Sequence, residues 1–181
     1  MGALLNSFLL RLIPIGMALL ALQKTLFVEL RPFGVIVQVL LAFACSAAAA
    51  AGPERGATAA FVLGLMFDMA TGAPLGSSSI AFGLGAYIAG WVDVIRIETT
   101  WWLAAMFVTV GSAVGEALAP VVRRFVGEQD AFDIRHMAEV VPVVAVSAGI
   151  LSIALVPLGR WSMKVAKPEW KGPAEASVVK A

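Results

Sequence analysis

Six long apolar segments constrain the fold of this chain more than any other feature of its sequence. They run approximately over residues 8–27, 33–51, 56–71, 75–92, 100–122 and 137–158. A helix needs about 20 mostly apolar residues to cross the hydrocarbon core of a bilayer. The segments are continuous apolar runs and lack the alternating pattern of membrane-spanning strands. The sequence therefore predicts an all-α membrane protein, a compact bundle of six transmembrane helices.

The overall composition points the same way. Of the 181 residues, 60% are hydrophobic and 14% are charged, and the mean hydropathy is +0.91. Soluble domains average about 45–50% apolar and about 25% charged residues, and a domain this small has too much surface to hide the excess from water. Six spans leave no room for a folded extramembrane domain. We expect one transmembrane domain over residues 1–160 and a basic tail over residues 161–181.

Lys and Arg are unequally distributed between the two sides of the predicted bundle. The N-terminal segment, the second and fourth connections and the tail hold eight of them, and the other connections hold five. Because basic residues accumulate on the cytoplasmic side, both termini are predicted to be cytoplasmic, with the tail resting on membrane lipids. The fifth connection, residues 123–136, is either a short amphipathic piece at the outer interface or an irregular solvated loop.

Few residues could support catalysis or metal binding. The single cysteine, Cys45, excludes an intrachain disulfide and a CxxC metal site. The single histidine, His136, excludes a multi-His metal centre and completes no triad. No nucleophile elbow, zinc-protease motif or phosphate-binding loop occurs, and a net charge of +1 gives no general attraction to nucleic acid. We predict a protein that is not an enzyme and needs no cofactor or metal.

Small residues recur at helical spacing along three segments. The three stripes are Gly56, Ala60, Gly64, Asp68 and Gly72; Gly76, Ser79, Gly83, Ala86 and Gly90; and Gly111, Gly115 and Ala119. In lipid, helices associate through close backbone packing and interhelical hydrogen bonds. The stripes are expected to pack helix on helix within the chain or, alternatively, to bind another protein. Three isolated polar residues, Gln23, Gln38 and Thr109, are expected to hydrogen-bond between helices.

Asp68 is an acid within an apolar segment. A charged Asp at the centre of a membrane helix costs roughly 2.5–3.5 kcal/mol even on mild insertion scales. A short turn follows it, and three serines at residues 77–79 open the next segment. We predict that Asp68 folds back and accepts hydrogen bonds from the amides and hydroxyls there, which would lock the hairpin. A proton-relay or ligand-binding role is the alternative.

Glu116 is the second acid of interest and lies near the end of the fifth segment. In the six-span arrangement, Asp68 and Glu116 both approach the external side, where Arg31, Arg123 and Arg124 are also found. One alternative is that these groups form a polar pocket in the outer half of the bundle. The other is that Glu116 simply lies at the membrane interface, where a charge costs little free energy.

A series of short motifs extends from Arg31 to Gly90. They are Arg31-Pro32; Gly52-Pro53 with Gly56; Gly64-Leu65 with Asp68; Thr71-Gly72 with Pro74-Leu75-Gly76; and Tyr87 with Gly90. In this order they resemble the MreD family, the small integral-membrane subunits of the bacterial rod-shape machinery. The resemblance covers about a third of the chain.

The resemblance implies a non-enzymatic scaffold in the bacterial cytoplasmic (inner) membrane, with a bundle like that of energy-coupling-factor substrate-binding subunits. The implied partners are an MreC-type bitopic protein, an MreB-type actin-like filament and, directly or indirectly, RodA and a class B penicillin-binding protein. The residues expected to support structure and assembly are Arg31, Pro32, Gly64, Asp68, Gly72, Pro74, Leu75, Gly76, Gly90 and Glu116. The alternative is a small-molecule-binding subunit of a membrane transporter, suggested by the bundle type and the two acids.

Overall fold

A computed structural model describes residues 8–27, 29, 34–95, 101–127 and 134–163. Within these ranges the chain forms six α-helices and no strand. The helices are α1 (Leu9–Thr25), α2 (Val39–Ala51), α3 (Pro53–Thr71), α4 (Ser77–Val94), α5 (Trp101–Phe125) and α6 (Ile134–Ser162). The predicted all-helical class is therefore confirmed.

Each predicted segment coincides with one helix, but the second begins later than expected. α2 starts at Val39 rather than near residue 33, and residues 35–38 are not helical. Gly34 has a positive φ of 80°, and Val35, Ile36 and Val37 are consecutive β-branched residues, which lose side-chain freedom in a helix. These local preferences explain why hydrophobicity alone placed the helix start too early.

The fifth connection is shorter than predicted. α5 continues through Arg123 and Arg124 to Phe125, and α6 begins at Ile134. Cations are favourable in the last turn of a helix because they face its negative dipole end, so the two arginines extend α5 rather than start a loop. The amphipathic alternative for this connection concerns residues 128–133, which lie outside the described part of the chain.

α2 is the centre of the bundle. Every residue from Val39 to Ala50 is buried, and α2 packs against each of the other helices. α3, α4, α5 and α6 follow one another around it, and α1 lies between α3 and α6. The alanine-rich end of α2 permits close contact: Gly56 of α3 lies against Ala48, and Gly159 of α6 lies against Ala47.

Among the described helices, α5 and α6 are long and apolar enough to cross a membrane. Only 28% and 33% of the residues in their most apolar windows are buried inside the protein, and the others are half-buried or exposed. α2 is apolar but has 13 residues, and α3 contains Glu54, Arg55 and Asp68. Two such helices are consistent with a membrane location.

Candidate functional site

The connection between α3 and α4 is a tight turn built on glycine and proline. Gly72, which ends α3, has a φ of 72°, and Gly76, which precedes α4, has a φ of 94°. A Cβ atom at either position would meet no atom within 4 Å. Backbone conformation rather than space therefore favours glycine at both positions. The amide of Ser77 donates to the Pro74 carbonyl oxygen at 3.1 Å and closes the turn.

The carboxylate of Asp68 is fully buried and accepts hydrogen bonds from the start of α4. Its Oδ2 atom accepts from the Gly76 amide at 2.8 Å, and both its oxygens lie 3.2 Å from the Ser78 amide nitrogen. The Ser77 hydroxyl donates to Oδ1 at 3.4 Å. We call this group of four residues the Asp68 clasp. The fold-back predicted for Asp68 is present in the structure.

The clasp supplies an acceptor to the first amides of α4 and donors to the Asp68 carboxylate. The first amides of a helix have no acceptor within the helix, and the start of a helix favours an anion. Asp68 itself lies in the last turn of α3, where the dipole of its own helix opposes its charge. The amides of α4 supply the compensating donors, and a charge-assisted hydrogen bond is stronger than a neutral one. The arrangement fixes the angle of the α3–α4 hairpin.

The predicted small-residue stripes mostly lie inside the bundle. On α3, Gly56, Ala60, Gly64 and Asp68 are buried, and Gly64 lies directly against the backbone of Ser79. At the other end of the same pair of helices, a Cβ atom on Gly90 would lie 2.5 Å from the Cα atom of Pro53. The stripe on α5, Gly111, Gly115 and Ala119, is also buried. Packing within the chain thus accounts for these faces.

One packing surface was missed from the sequence. Gly85 and Ala89 of α4 face α5, where Gly111 lies against both of them. Gly85 and Ala89 are four residues apart, and this spacing was the available signal. α4 therefore has two small-residue faces, one against α3 and one against α5.

Gly83 departs from the pattern of its stripe. It is half-buried, and a Cβ atom there would meet only the Ala57 carbonyl oxygen, at 3.7 Å. It lines an apolar groove of about 480 Å³ between α3 and α4. The stripe predicted on α4 is thus divided: Ser79, Ala86 and Gly90 are buried within the chain, whereas Gly83 borders open space.

Glu116 lies in a second polar group, away from the partners of Asp68. The side chains of Gln38 and of Arg123, two turns later on α5, lie near its carboxyl group. Gln38 Oε1, Glu116 Oε2 and Arg123 Nε are buried without a hydrogen-bond partner among the described residues. The two acids thus have separate partners rather than one shared set.

Several other predicted residues can also be placed. Pro74 is half-buried, and Leu75, at the tip of the hairpin, is 69% exposed. Arg124 is exposed at the end of α5. Arg31 and Pro32 lie outside the described residues, as does the basic tail beyond residue 163.

Of the isolated polar residues expected to hydrogen-bond between helices, Gln23 does so and Thr109 does not. The Leu40 amide donates to Gln23 Oε1 at 3.0 Å, which confirms the predicted interhelical bond of Gln23. The expectation for Thr109 was wrong, because its hydroxyl donates to the Ala105 carbonyl oxygen of its own helix at 2.8 Å. A threonine inside a helix can make this local bond to the carbonyl four residues earlier, and it then needs no partner on another helix.

In the described part of the chain, no group of three or more His, Cys, Asp or Glu residues could hold a metal ion.

The comparisons with known proteins found no match. No model of a protein family matches the chain, and no curated protein or solved structure matches it either. The resemblance of residues 31–90 to the MreD family stays a prediction that the motifs support.

Proposed function

We propose that this chain is a non-enzymatic membrane scaffold of the bacterial cell-elongation complex and belongs to the MreD family. It would link an MreB-type filament and an MreC-type bitopic protein to RodA and a class B penicillin-binding protein, directly or indirectly. The observation that best supports the proposal is the Asp68 clasp. Two residues of the motifs that carry the resemblance, Asp68 and Gly76, belong to the clasp, and two more, Gly72 and Pro74, belong to the turn that it spans.

The proposal includes a six-span bundle in the cytoplasmic membrane. Large apolar side chains are exposed on the outer helices, for example Met17, Trp101 and Ile150, whereas Asp68 and Ser112 are fully buried. A soluble monomer seldom exposes a large contiguous apolar patch. A bundle with an apolar exterior and polar groups inside suits lipid as its solvent.

The start of α1 lies beside the end of α6. The Arg11 guanidinium lies 5.2 Å from the centre of the Trp161 ring and donates to the Trp161 carbonyl oxygen at 3.4 Å. Six successive crossings would bring the two ends to the same side of a membrane. The distribution of Lys and Arg makes that side the cytoplasm, and Trp161 and Arg11 both suit the interface.

The short α2 can still complete a span. Its 13 residues extend over about 20 Å at the α-helical rise, which is less than the roughly 30 Å hydrocarbon core. The non-helical residues 35–38, where the Val39 amide donates to the Val37 carbonyl oxygen at 3.1 Å, would have to cover the remainder. Non-helical backbone is tolerated at that depth only where protein or a water-filled cavity surrounds it, and Val35 and Val37 are buried.

A scaffold of this kind acts through rigid placement. The clasp sets the external end of the α3–α4 hairpin, and the turn presents Leu75 outward. Around it, the glycine contacts of α3, α4 and α5 hold the backbones together, so the surfaces offered to partners keep a fixed geometry. The function requires no proton or group transfer by the chain.

Co-purification tests this proposal. The chain would be co-expressed with the MreC-type protein of the same genome, extracted in mild detergent and captured through a tag on either protein. We expect a stable complex for the wild type and a weakened complex for Asp68→Ala. A wild-type chain that never captures the MreC-type protein, or an Asp68→Ala variant with unchanged folding and capture, would contradict the proposal.

A second candidate function is small-molecule binding in a transporter. The observation in its favour is a group of buried atoms on Gln38, Glu116 and Arg123 that have no hydrogen-bond partner in the described ranges and lie next to the non-helical backbone before α2. Broken helices with polar groups are common binding sites in transporters. Thermal-shift measurements with vitamins and cell-wall precursors would detect it. Saturable stabilisation in the absence of a protein partner would favour this function over the scaffold.

A further inference from the structure

The tryptophans of this chain gather at one end of the bundle. The chain has five, and the four in the described ranges are between 46% and 70% exposed: Trp91, Trp101, Trp102 and Trp161. They lie near the end of α4, at the start of α5 and at the end of α6. Close glycine contacts join these helix ends to the start of α3 and the end of α2. Exposed tryptophans are typical of the level of lipid headgroups.

Arg11, near the start of α1, brings a positive charge to this end. Its guanidinium lies 5.2 Å from the centre of the Trp161 ring, and Nη1 donates to the Trp161 carbonyl oxygen at 3.4 Å. That long bond uses only one of the N–H groups of the guanidinium. Arg11 makes no other side-chain hydrogen bond and no ion pair with the residues that the structure describes. Its remaining donors are therefore available to an anion from outside the bundle.

The other charges at this end leave the corner between α1 and α6 positive. Arg160 directly precedes Trp161 and is half-buried in the last turn of α6. The described acids of this end, Glu54 and Asp93, are exposed on α3 and α4, and Asp93 lies beside Gly52 at the start of α3. Neither acid forms an ion pair with Arg11. The local field at the corner thus favours a negatively charged group.

An exposed apolar stripe leads away from this corner along α6. Its members follow one another at steps of three or four residues and so share one face of the helix: Val146, Ile150, Ile153, Pro157 and Trp161. None of them is charged. The stripe runs from the tryptophan end toward the middle of α6, in the direction that the acyl chain of a lipid would take from its headgroup.

We propose that Arg11 and Trp161 bind the phosphate of an anionic phospholipid, with an acyl chain lying along the stripe of α6. The inference rests on the membrane location within the proposed function and is independent of the partner proteins. A guanidinium binds phosphate oxygens through two N–H groups at once. The Trp161 ring holds the guanidinium in place by a cation–π contact, and the cytoplasmic leaflet supplies anionic lipids.

The corner and the stripe together argue against other occupants. Free phosphate satisfies the cation but covers no part of the apolar stripe. An acidic peptide in water meets the same objection. A zwitterionic phospholipid covers the stripe, but the cation of its headgroup is repelled by Arg11 and Arg160. A phospholipid with a net negative headgroup satisfies the charge and the apolar face together.

Native mass spectrometry tests the inference. The chain would be held in a mild nonionic detergent with equal amounts of phosphatidylglycerol and phosphatidylcholine, and the lipids that stay bound would be counted. We expect the wild type to prefer phosphatidylglycerol by about fivefold or more, and Arg11→Gln to retain both lipids about equally. Lys24→Gln is the matched control, because it removes the same charge from an exposed position at the other end of α1. It should keep the wild-type preference.

A second variant separates lipid binding from folding, since Arg11 also bonds to the end of α6. Trp161→Leu keeps the backbone carbonyl that Arg11 donates to and removes only the ring. We expect the preference to fall by about threefold, with a nearly unchanged thermal midpoint in lipid-free detergent. A wild type without preference would overturn the inference. An Arg11→Gln variant that loses stability, together with a Trp161→Leu variant that keeps the full preference, would also overturn it and leave Arg11 as a cap of α6.

Thermal midpoints distinguish the sources of the anion. Phosphatidylglycerol should raise the midpoint of the wild type, whereas the same concentration of inorganic phosphate or of a polyglutamate peptide should not. Equal stabilisation by either soluble anion would contradict the lipid site. These measurements need no partner protein. If the wild type fails to capture the MreC-type protein but prefers phosphatidylglycerol, the proposed scaffold fails and the lipid site stands; the opposite pair of results rejects only the lipid site.

Discussion

The hydrogen-bond donors of Asp68 could be predicted from the residues that follow it in sequence. A carboxylate in an apolar helix must find donors, and the amides at the start of the next helix are the closest ones along the chain. The short Gly72–Gly76 turn brings them within reach, and the Gly76 amide lies 2.8 Å from Oδ2. The bonding of Asp68 was predictable because donor and acceptor are only eight residues apart. The surroundings of Glu116 were less predictable, since Gln38 comes from a distant segment.

Removing the Asp68 carboxylate should destabilise the bundle. Asp68→Ala leaves the Gly76 and Ser78 amides without their acceptor, and we expect a loss of about 3 kcal/mol of unfolding free energy. Thermal unfolding in detergent micelles measures it. The exposed Glu139 provides a control, and Glu139→Ala should leave the midpoint nearly unchanged.

Asp68→Asn separates a structural clasp from a proton-relay role. The side-chain oxygen of Asn can still accept from the Gly76 and Ser78 amides, and its amide can donate to the Ser77 hydroxyl. We therefore expect Asn to retain most of the stability and partner capture that Ala loses. An Asn variant as defective in partner capture as the Ala variant, but fully folded, would favour a role for the charge or proton of Asp68.

At the scale of the helices, small-residue spacing predicted most of the buried faces. It worked for α3 and α5 because a glycine or alanine every turn leaves one side of a helix free for a neighbour. It could not separate Gly83, which borders the groove, from Ser79 and Gly90, which contact α3, since all three have the same spacing. Which helix packs on a given small residue depends on where the neighbouring helices lie around its own helix. The packing of the whole bundle sets those positions.

Two glycines provide a matched pair of substitutions. A Cβ atom on Gly64 would overlap the backbone of Ser79, so Gly64→Ala should force α3 and α4 apart and cost about 1–3 kcal/mol. Gly83→Ala has room and should be neutral or stabilise the chain by up to about 1 kcal/mol through helix propensity. Thermal midpoints in one detergent measure both. Equal destabilisation by the two substitutions would show that the contacts of α3 with α4 are misplaced.

Gln23 completes the start of α2 from another helix. Its side-chain oxygen accepts from the buried Leu40 amide at 3.0 Å, which has no acceptor within the first turn of α2. Gln23→Leu keeps a similar volume and leaves that amide unpaired, so we expect a loss of about 1–3 kcal/mol. Lys24→Leu, at the exposed neighbouring position, should have little effect. Unchanged thermal stability of Gln23→Leu would argue against the late start of α2 at Val39.

For the whole molecule, composition identified the helical class but not which helix lies at the centre. Hydrophobicity reports exclusion from water, and in lipid both the core and the exterior of a bundle are apolar. α2 is central because its run of alanines lets several neighbours approach at once, and α5 and α6 are peripheral although they are the longest apolar helices. Nothing in the periodicity of these segments distinguishes the two situations.

The six-span topology can be checked with single cysteines, since Cys45 is buried. We expect Val126→Cys, exposed just after α5, to react with a membrane-impermeant maleimide in intact cells. Glu54→Cys, exposed at the start of α3, should react only after permeabilisation. Labelling of both residues from the same side would contradict six crossings.

Depletion of the chain from its own cells tests the central claim, that it is a scaffold of the cell-elongation complex. Cell shape would be followed by microscopy while expression is switched off, with the wild-type chain and Asp68→Ala supplied from a second copy. The scaffold account predicts that rods become round on depletion, that the wild type restores rods and that Asp68→Ala restores them poorly. Cells that stay rod-shaped after the protein has disappeared would contradict the account.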